Sequence, residues 1–354
     1  MQRGSATRDK LLTSVVAVAF CGLGAACGGG GGAGSKAESA ADGPSSGATA
    51  SEGEPSPSSE SDGANSESSA LGTSEDAKLA GATGTATSFE EATTLDAFKR
   101  KLTPEAMSGV VRLDLAARGW GPNLGKVIAS SSALGKLVAL DVSDNELGSA
   151  GAAALARSSQ LGALRQLDIA GNDIGDAGAK ALAGSRLLGN IKVLNLSGNS
   201  IGAPGVKALS GSQHISGVAS LDLSMNPIGP EGAKALASSG QLAEVKSLFL
   251  LGSDIGEQGA RALAQSSKLT QLGVLALSGN AIGNEGASAL AGSSILSHVT
   301  TLDLSANGIG DAGAKALAAS SHASSIKSLE LYGNEIGAAG VSALKKRYGA
   351  ALKL

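Results

Sequence analysis

The chain has 354 residues, 28 Lys and Arg against 31 Asp and Glu, and a formal net charge of -3. Such balance supplies no overall field to draw nucleic acid or an anionic membrane, and 2% aromatic residues leave few stacking platforms for bases or sugars. Length allows about two domains, but large apolar side chains are sparse up to Thr87 and recur only beyond it, so a core is expected in the second part alone.

The chain begins with Arg3, Arg8 and Lys10, then an apolar run from Leu11 to Leu23 that is too short to span a bilayer. Residues 1–26 read as an export signal. Gly24, Ala25 and Ala26 precede Cys27. This ending resembles the lipobox of bacterial lipoproteins, which implies acylation of Cys27 and a lipid anchor in the cell envelope. Leu23 stands one place further from the cysteine than in the usual motif. Gly24 and Ala26 also fit ordinary signal peptidase, which would leave a soluble secreted or periplasmic chain with an unmodified Cys27. Loss of the signal removes Cys21, so the mature chain holds a single cysteine and no internal disulfide. A lone thiol in an oxidising compartment is a liability that acylation removes.

Residues 27–87 hold the attachment cysteine and a stem of Gly, Ser, Ala and scattered acids, too poor in apolar surface to offset the entropy of ordering. About 60 such residues would reach on the order of 40–45 Å. The five glycines after Cys27 lack the spacing of a phosphate loop. Ser88 with Glu91 fits a capping box, and Phe89, Leu95, Phe98 and Leu102 follow at helical spacing. Thr103-Pro104 predicts a second short helix. Residues 88–109 are thus an expected N-terminal helical cap.

From Val110 the chain repeats itself every 27 residues without insertion. The segment LDVSDNELGSAGAAALA at Leu140 recurs as LDIAGNDIGDAGAKALA at Leu167, LNLSGNSIGAPGVKALS at Leu194 and LDLSMNPIGPEGAKALA at Leu221. Further copies start at Leu248, Leu275, Leu302 and Leu329, and a degenerate first copy, with Arg118 and Trp120 in the Asn and Ile positions, starts at Leu113. That makes nine copies over residues 110–354, the last extended by a cap helix from Val341 to Leu354. In each, Leu140 and Val142 or their equivalents alternate with polar residues as in a half-buried strand. Asn145 turns the chain, Gly148 and Gly151 permit tight backbone, and a helix follows with Ala154, Leu155 and Leu161 facing in.

The consensus LxLxxNxIGxxGAxALAxSxxL resembles the leucine-rich repeat in its ribonuclease-inhibitor-like variety. The resemblance implies an α/β solenoid, a curved horseshoe with a parallel β-sheet on the concave face and helices on the convex face. It also implies that Asn145, Asn172, Asn199, Asn226, Asn280, Asn307 and Asn334 form a structural ladder, with a weak rung at Ser253.

Candidate chemistry is scarce. His214, His298 and His322 are far apart and have no partner motif, so no metal site, catalytic group or cofactor is expected. The Lys126, Lys180, Lys207, Lys234, Arg261 and Lys315 column reads as a solvated helix face, with acid-to-base pairs at Asp176–Lys180, Glu257–Arg261 and Asp311–Lys315. What remains is the concave surface. One outward column reads Asp114, Asp141, Asp168, Asn195, Asp222, Phe249, Ala276, Asp303 and Glu330, and the next carries Leu251 and Tyr332 among small residues. A carboxylate stripe is thus broken by Phe249, Leu251 and Ala276, with Met225 and Val274 at the border. These residues, with Asp222, Asp303 and Tyr332, are the candidate contacts for a protein partner with a basic surface and an apolar anchor. The leading expectation is a non-enzymatic binding scaffold on the cell envelope, touching membrane only through its N-terminal lipid. Two alternatives stay open: a regulator resembling activators of Ran-type GTPases, and an envelope lipoprotein with no specific ligand.

Overall fold

A computed structural model describes residues 84–354. The export signal predicted at 1–26, Cys27 and the stem as far as residue 83 lie outside the described residues.

Each copy contributes one short strand whose middle Leu is fully buried, while its neighbours turn to the opposite face. The strands are β1 (Thr85–Thr87), β2 (Val110–Asp114), β3 (Ala139–Asp141), β4 (Gln166–Asp168), β5 (Val193–Asn195) and β6 (Ser220–Asp222). They continue as β7 (Ser247–Phe249), β8 (Val274–Ala276), β9 (Thr301–Asp303), β10 (Ser328–Glu330) and β11 (Leu352–Lys353). All pair in sequence order in one parallel sheet, and from β2 to β10 equivalent residues lie in register.

Helix α1 (Leu95–Lys101) precedes β2. The copies then supply α2 (Pro122–Ser130), α3 (Gly148–Ala156), α4 (Gly175–Ala183), α5 (Ala203–Ser210) and α6 (Gly229–Ser238). The last four are α7 (Gly256–Ala264), α8 (Gly283–Ala291), α9 (Asp311–Ala319) and α10 (Ala338–Tyr348). In α4 the buried stripe is Gly178, Ala179, Leu182 and Ala183, small residues beside one large anchor. A Cβ on Gly178 would lie 2.7 Å from the Ile174 Cβ and 3.1 Å from the Ala152 Cβ, so successive helices pack too closely for a side chain there. The same geometry corrects the second copy: Ala152 and Leu155 face the core, and Ala154, predicted inward, lies half-buried one position off the stripe.

Two side-chain ladders tie the copies together. The Asn172 amide donates to the carbonyls of Val142, Ile169 and Ala170 at 2.9, 3.0 and 2.9 Å. Its Oδ1 accepts from the N–H groups of Asn145 and Leu147 at 3.0 and 3.1 Å. Asn145, Asn199, Asn226, Asn280, Asn307 and Asn334 likewise donate to carbonyls of their own and the preceding copy. On the helix side, Ser212, Ser239, Ser266 and Ser320 donate to carbonyls 29 residues back at 2.5–2.6 Å, and Ser185 and Ser293 do the same. The serine of the repeat consensus is thus a second ladder that buried main-chain carbonyls require.

The ends differ from the pattern the sequence predicts. Thr85–Thr87, assigned to the stem, pair with β2 as the edge strand. No helix starts at Ser88, whose hydroxyl donates to Glu90; Thr94 caps α1 instead, its Oγ1 accepting from the Ala97 N–H at 3.2 Å. Thr103 holds a turn by accepting from Ala106, and no second cap helix forms after it. Phe98 packs edge-on to Phe89 at 5.6 Å and stacks on Trp120 at 5.2 Å, so the aberrant Trp of the first copy seals that end. The last helix stops at Tyr348 rather than running to Leu354, and the chain turns back through Gly349 to add β11 beside β10. There Lys353 meets Glu330 at 2.7 Å.

Candidate functional site

The strand residues that point away from the helices build the concave face. In register they run Asp114, Asp141, Asp168, Asn195 and Asp222, then Phe249 and Ala276, then Asp303 and Glu330. The aspartates have local work. Oδ1 of Asp141, Asp168, Asp222 and Asp303 accepts the main-chain N–H two residues on at 2.9, 2.9, 2.8 and 2.9 Å, closing a turn where the strand ends.

The sequence pattern predicts a solvated stripe of acids. Asp141, Asp168, Asp303 and Glu330 are instead nearly closed to solvent, whereas Asn195 and Asp222 are half-buried. Burial pushes the Asp168 carboxyl up to about 7, the Asp141 and Asp222 charges adding to the rise and hydrogen bonds from Ala170 and Asn195 opposing it. Burial also raises Asp222 and Asp303 against their bonds from Ser224 and Ser305.

The sixth copy breaks this arrangement. Phe249 replaces the turn-closing carboxylate, and the Leu251 N–H donates to the Ser224 hydroxyl of the preceding copy at 3.2 Å instead. Phe249, Leu251 and Val274 are half-buried and Ala276 is buried. Met225 is 67% exposed and holds a left-handed backbone, φ 56°, that a long side chain seldom adopts. Asp222, Met225, Phe249, Leu251, Val274, Ala276 and Asp303 therefore lie on four consecutive strand-and-turn units. Tyr332, 45% exposed, stands apart on the ninth copy. Ser253 takes the ladder position in this copy, its hydroxyl donating to Leu223 and Leu251 carbonyls at 3.3 Å each.

The helix face carries less pairing than its sequence spacing predicts. Arg261 does bind Glu257 at 2.8 Å and also reaches Glu285 at 3.1 Å. Asp176 turns from Lys180 and accepts the Gly202 and Gly205 N–H groups at 2.8 and 2.9 Å, and Asp311 accepts from Gly340 at 2.8 Å. The partly buried amides at the start of the next helix outcompete a solvated ammonium, because a surface ion pair contributes only about 0–1 kcal/mol. Among the described residues no group of three or more His, Cys, Asp and Glu could hold a metal ion. No described helix is long and apolar enough to cross a membrane.

A family profile described as a leucine-rich repeat matches residues 136–156, 164–183, 190–210, 219–237, 268–291, 296–318 and 322–345. The gap between 237 and 268 holds the sixth copy, where Phe249, Leu251 and Ser253 depart from the consensus. No curated protein matches the chain.

Proposed function

Because this chain is a leucine-rich-repeat protein, we propose that it is a non-enzymatic scaffold of the ribonuclease-inhibitor-like kind, displayed on the bacterial cell envelope to grip a protein on its concave face. The apolar break at the sixth copy carries this reading. A repeat under no demand but folding would keep the Asp that closes its own turn. Here an aromatic residue takes that place on the open face, with Leu251 and a strained, exposed Met225 beside it. Carboxylates flank the patch at Asp222 and Asp303, so the partner that fits has an apolar anchor set in a basic surface. Cys27, acylated after removal of residues 1–26, holds the scaffold to the membrane, and the stem gives it reach.

The test is capture from an envelope extract by the full chain, with bound proteins identified by mass spectrometry. Wild type is expected to retain a defined partner that Phe249→Ala/Leu251→Ala binds at least about 30-fold more weakly, as loss of roughly 2 kcal/mol at an interface centre entails. Equal capture by both proteins would sink the reading. The anchor is checked separately: Cys27→Ser is expected to move the protein from the membrane fraction to the soluble fraction, and continued sedimentation with membranes refutes acylation.

A further inference from the structure

The connections that run from the end of each helix to the next strand carry almost no acid. Over the nine copies Glu244 is the one carboxylate among them, whereas Lys136, Arg157, Arg186 and Lys192 are all exposed there within the first three copies. Between the second and third copies this flank opens into a cleft of about 460 Å³. Copy two contributes Arg157 to its lining and copy three contributes Arg186, and no carboxylate lines it. Among the described residues neither arginine takes part in an ion pair.

The repeat itself does not explain this pair. Arg157 stands where the other copies carry Ser, Gly, Gln, Ala or Lys346, and Arg186 where they carry Ser, Gln, Gly or Tyr348. Arg157 ends α3, where a cation offsets the negative pole of the helix. That reason does not reach Arg186, which lies three residues beyond the end of α4. Nor do the last carbonyls of α3 repel an anion from the cleft. Those of Ala154 and Leu155 accept the Arg157 and Ser158 N–H groups at 3.1 and 3.0 Å, and that of Ala156 accepts the Ser185 hydroxyl. Ser159, also in the lining, accepts the Gln160 side-chain amide on Oγ at 3.2 Å, which leaves its hydroxyl proton to donate. Buried Leu161 and Leu187 make the rest of the wall apolar, and hydrogen bonds to a charged group gain strength beside such a surface.

We propose that this cleft is a binding site for a phosphate group, held between the Arg157 and Arg186 guanidinium groups with the Ser159 hydroxyl as a further donor. Two planar forks from different copies ask for an anion with oxygens on more than one side. A tetrahedral phosphate presents them, and a planar carboxylate fills one fork only. The site lies on the helix-to-strand flank rather than the concave face, so it stands independently of the protein-binding reading.

The test is isothermal titration calorimetry of the full chain with sodium phosphate, ionic strength being held constant with sodium chloride. Wild type is expected to bind saturably at a single site. Arg157→Gln and Arg186→Gln are each expected to weaken binding at least about tenfold, because each removes a charge-assisted pair of hydrogen bonds; both side chains are exposed, so the fold does not depend on them. Lys268→Gln, exposed on the same flank at the sixth copy, is expected to bind as wild type, and so is Phe249→Ala/Leu251→Ala. Glycerol 3-phosphate and dihexanoyl phosphatidic acid below its micelle concentration then separate the sources. Tightest binding of inorganic phosphate assigns the cleft to the free ion, of glycerol 3-phosphate to a soluble ester, and of the lipid to a membrane headgroup. The proposal is overturned by the absence of saturable binding, or by equal affinity for sodium acetate. It is equally overturned if Lys268→Gln loses as much affinity as the arginine variants, since the anion would then answer to the charge of the whole flank and not to the cleft.

Discussion

Asp168 holds two hydrogen bonds and still has its carboxyl pushed to about 7, against 3.8 for the group in an ordinary setting. Across that interval the folded chain keeps a proton that the unfolded chain has released. Stability from this group is therefore full below pH 4 and declines as pH rises to 7, by at most about 1.4 kcal/mol per unit. Asp222 and Asp303, both raised, act with the same sign. Urea unfolding of wild type is expected to show lower stability at pH 8 than at pH 5, and Asp168→Asn is expected to shrink that difference and raise the melting temperature at pH 8. An unchanged profile in the variant would place the pH dependence elsewhere. The repeated Asp was legible in the sequence as a column, but its bond to the N–H two residues on was not.

The helices begin in two ways that share one sequence. At Gly175 the backbone is left-handed, φ 59°, and its N–H donates forward to the Asn199 carbonyl at 2.9 Å. At Gly202 it is extended, φ -92°, and its N–H donates back to Asp176. The preceding copy decides. Asp176, Asn284 and Asp311 follow Ile-Gly in their copies, and the extended glycines are Gly202, Gly310 and Gly337 in the copies after them. A short polar side chain there reaches across and caps its neighbour's helix. Gly175→Ala is thus expected to lose about 1 kcal/mol by forcing a Cβ into the left-handed region, whereas Gly202→Ala is expected to stay within roughly 0.5 kcal/mol. Matched urea midpoints decide it, and equal losses would refute the distinction. Reading Asp176 and Asp311 against their own helix, four residues from a lysine, found the wrong partner because the true one lies 26 or 29 residues on.

At the scale of the molecule, period and strand order were legible because nine copies vote on each position. The termini had no vote. β1 and β11 are three and two residues long, without a copy to compare, and both form only because an open sheet leaves main-chain groups at its edges for any passing segment to pair with. The sixth rung is the counterpart inside the array. Asn280 donates to three carbonyls at 2.6, 2.9 and 3.1 Å, but Ser253 shares its single hydroxyl proton between two carbonyls at 3.3 Å, and Ile228 N–H turns to its own Asn226 carbonyl at 2.7 Å instead of crossing to the sixth copy. Ser253→Asn is expected to restore the rung and add about 1–2 kcal/mol, at roughly 1 kcal/mol per bond; a lower melting temperature would show the site shaped for serine.

That thin rung also sets how the array comes apart. A stack held by nearest neighbours opens first at its weakest contact, so copies one to five and six to nine should behave as two cooperative blocks with a seam between β6 and β7. Met225 lies on one lip of the seam and Phe249 on the other. A protein seated on both acts as a splint, and its grip would register as slowed amide exchange at this joint while the two outer ends continue to fray as before.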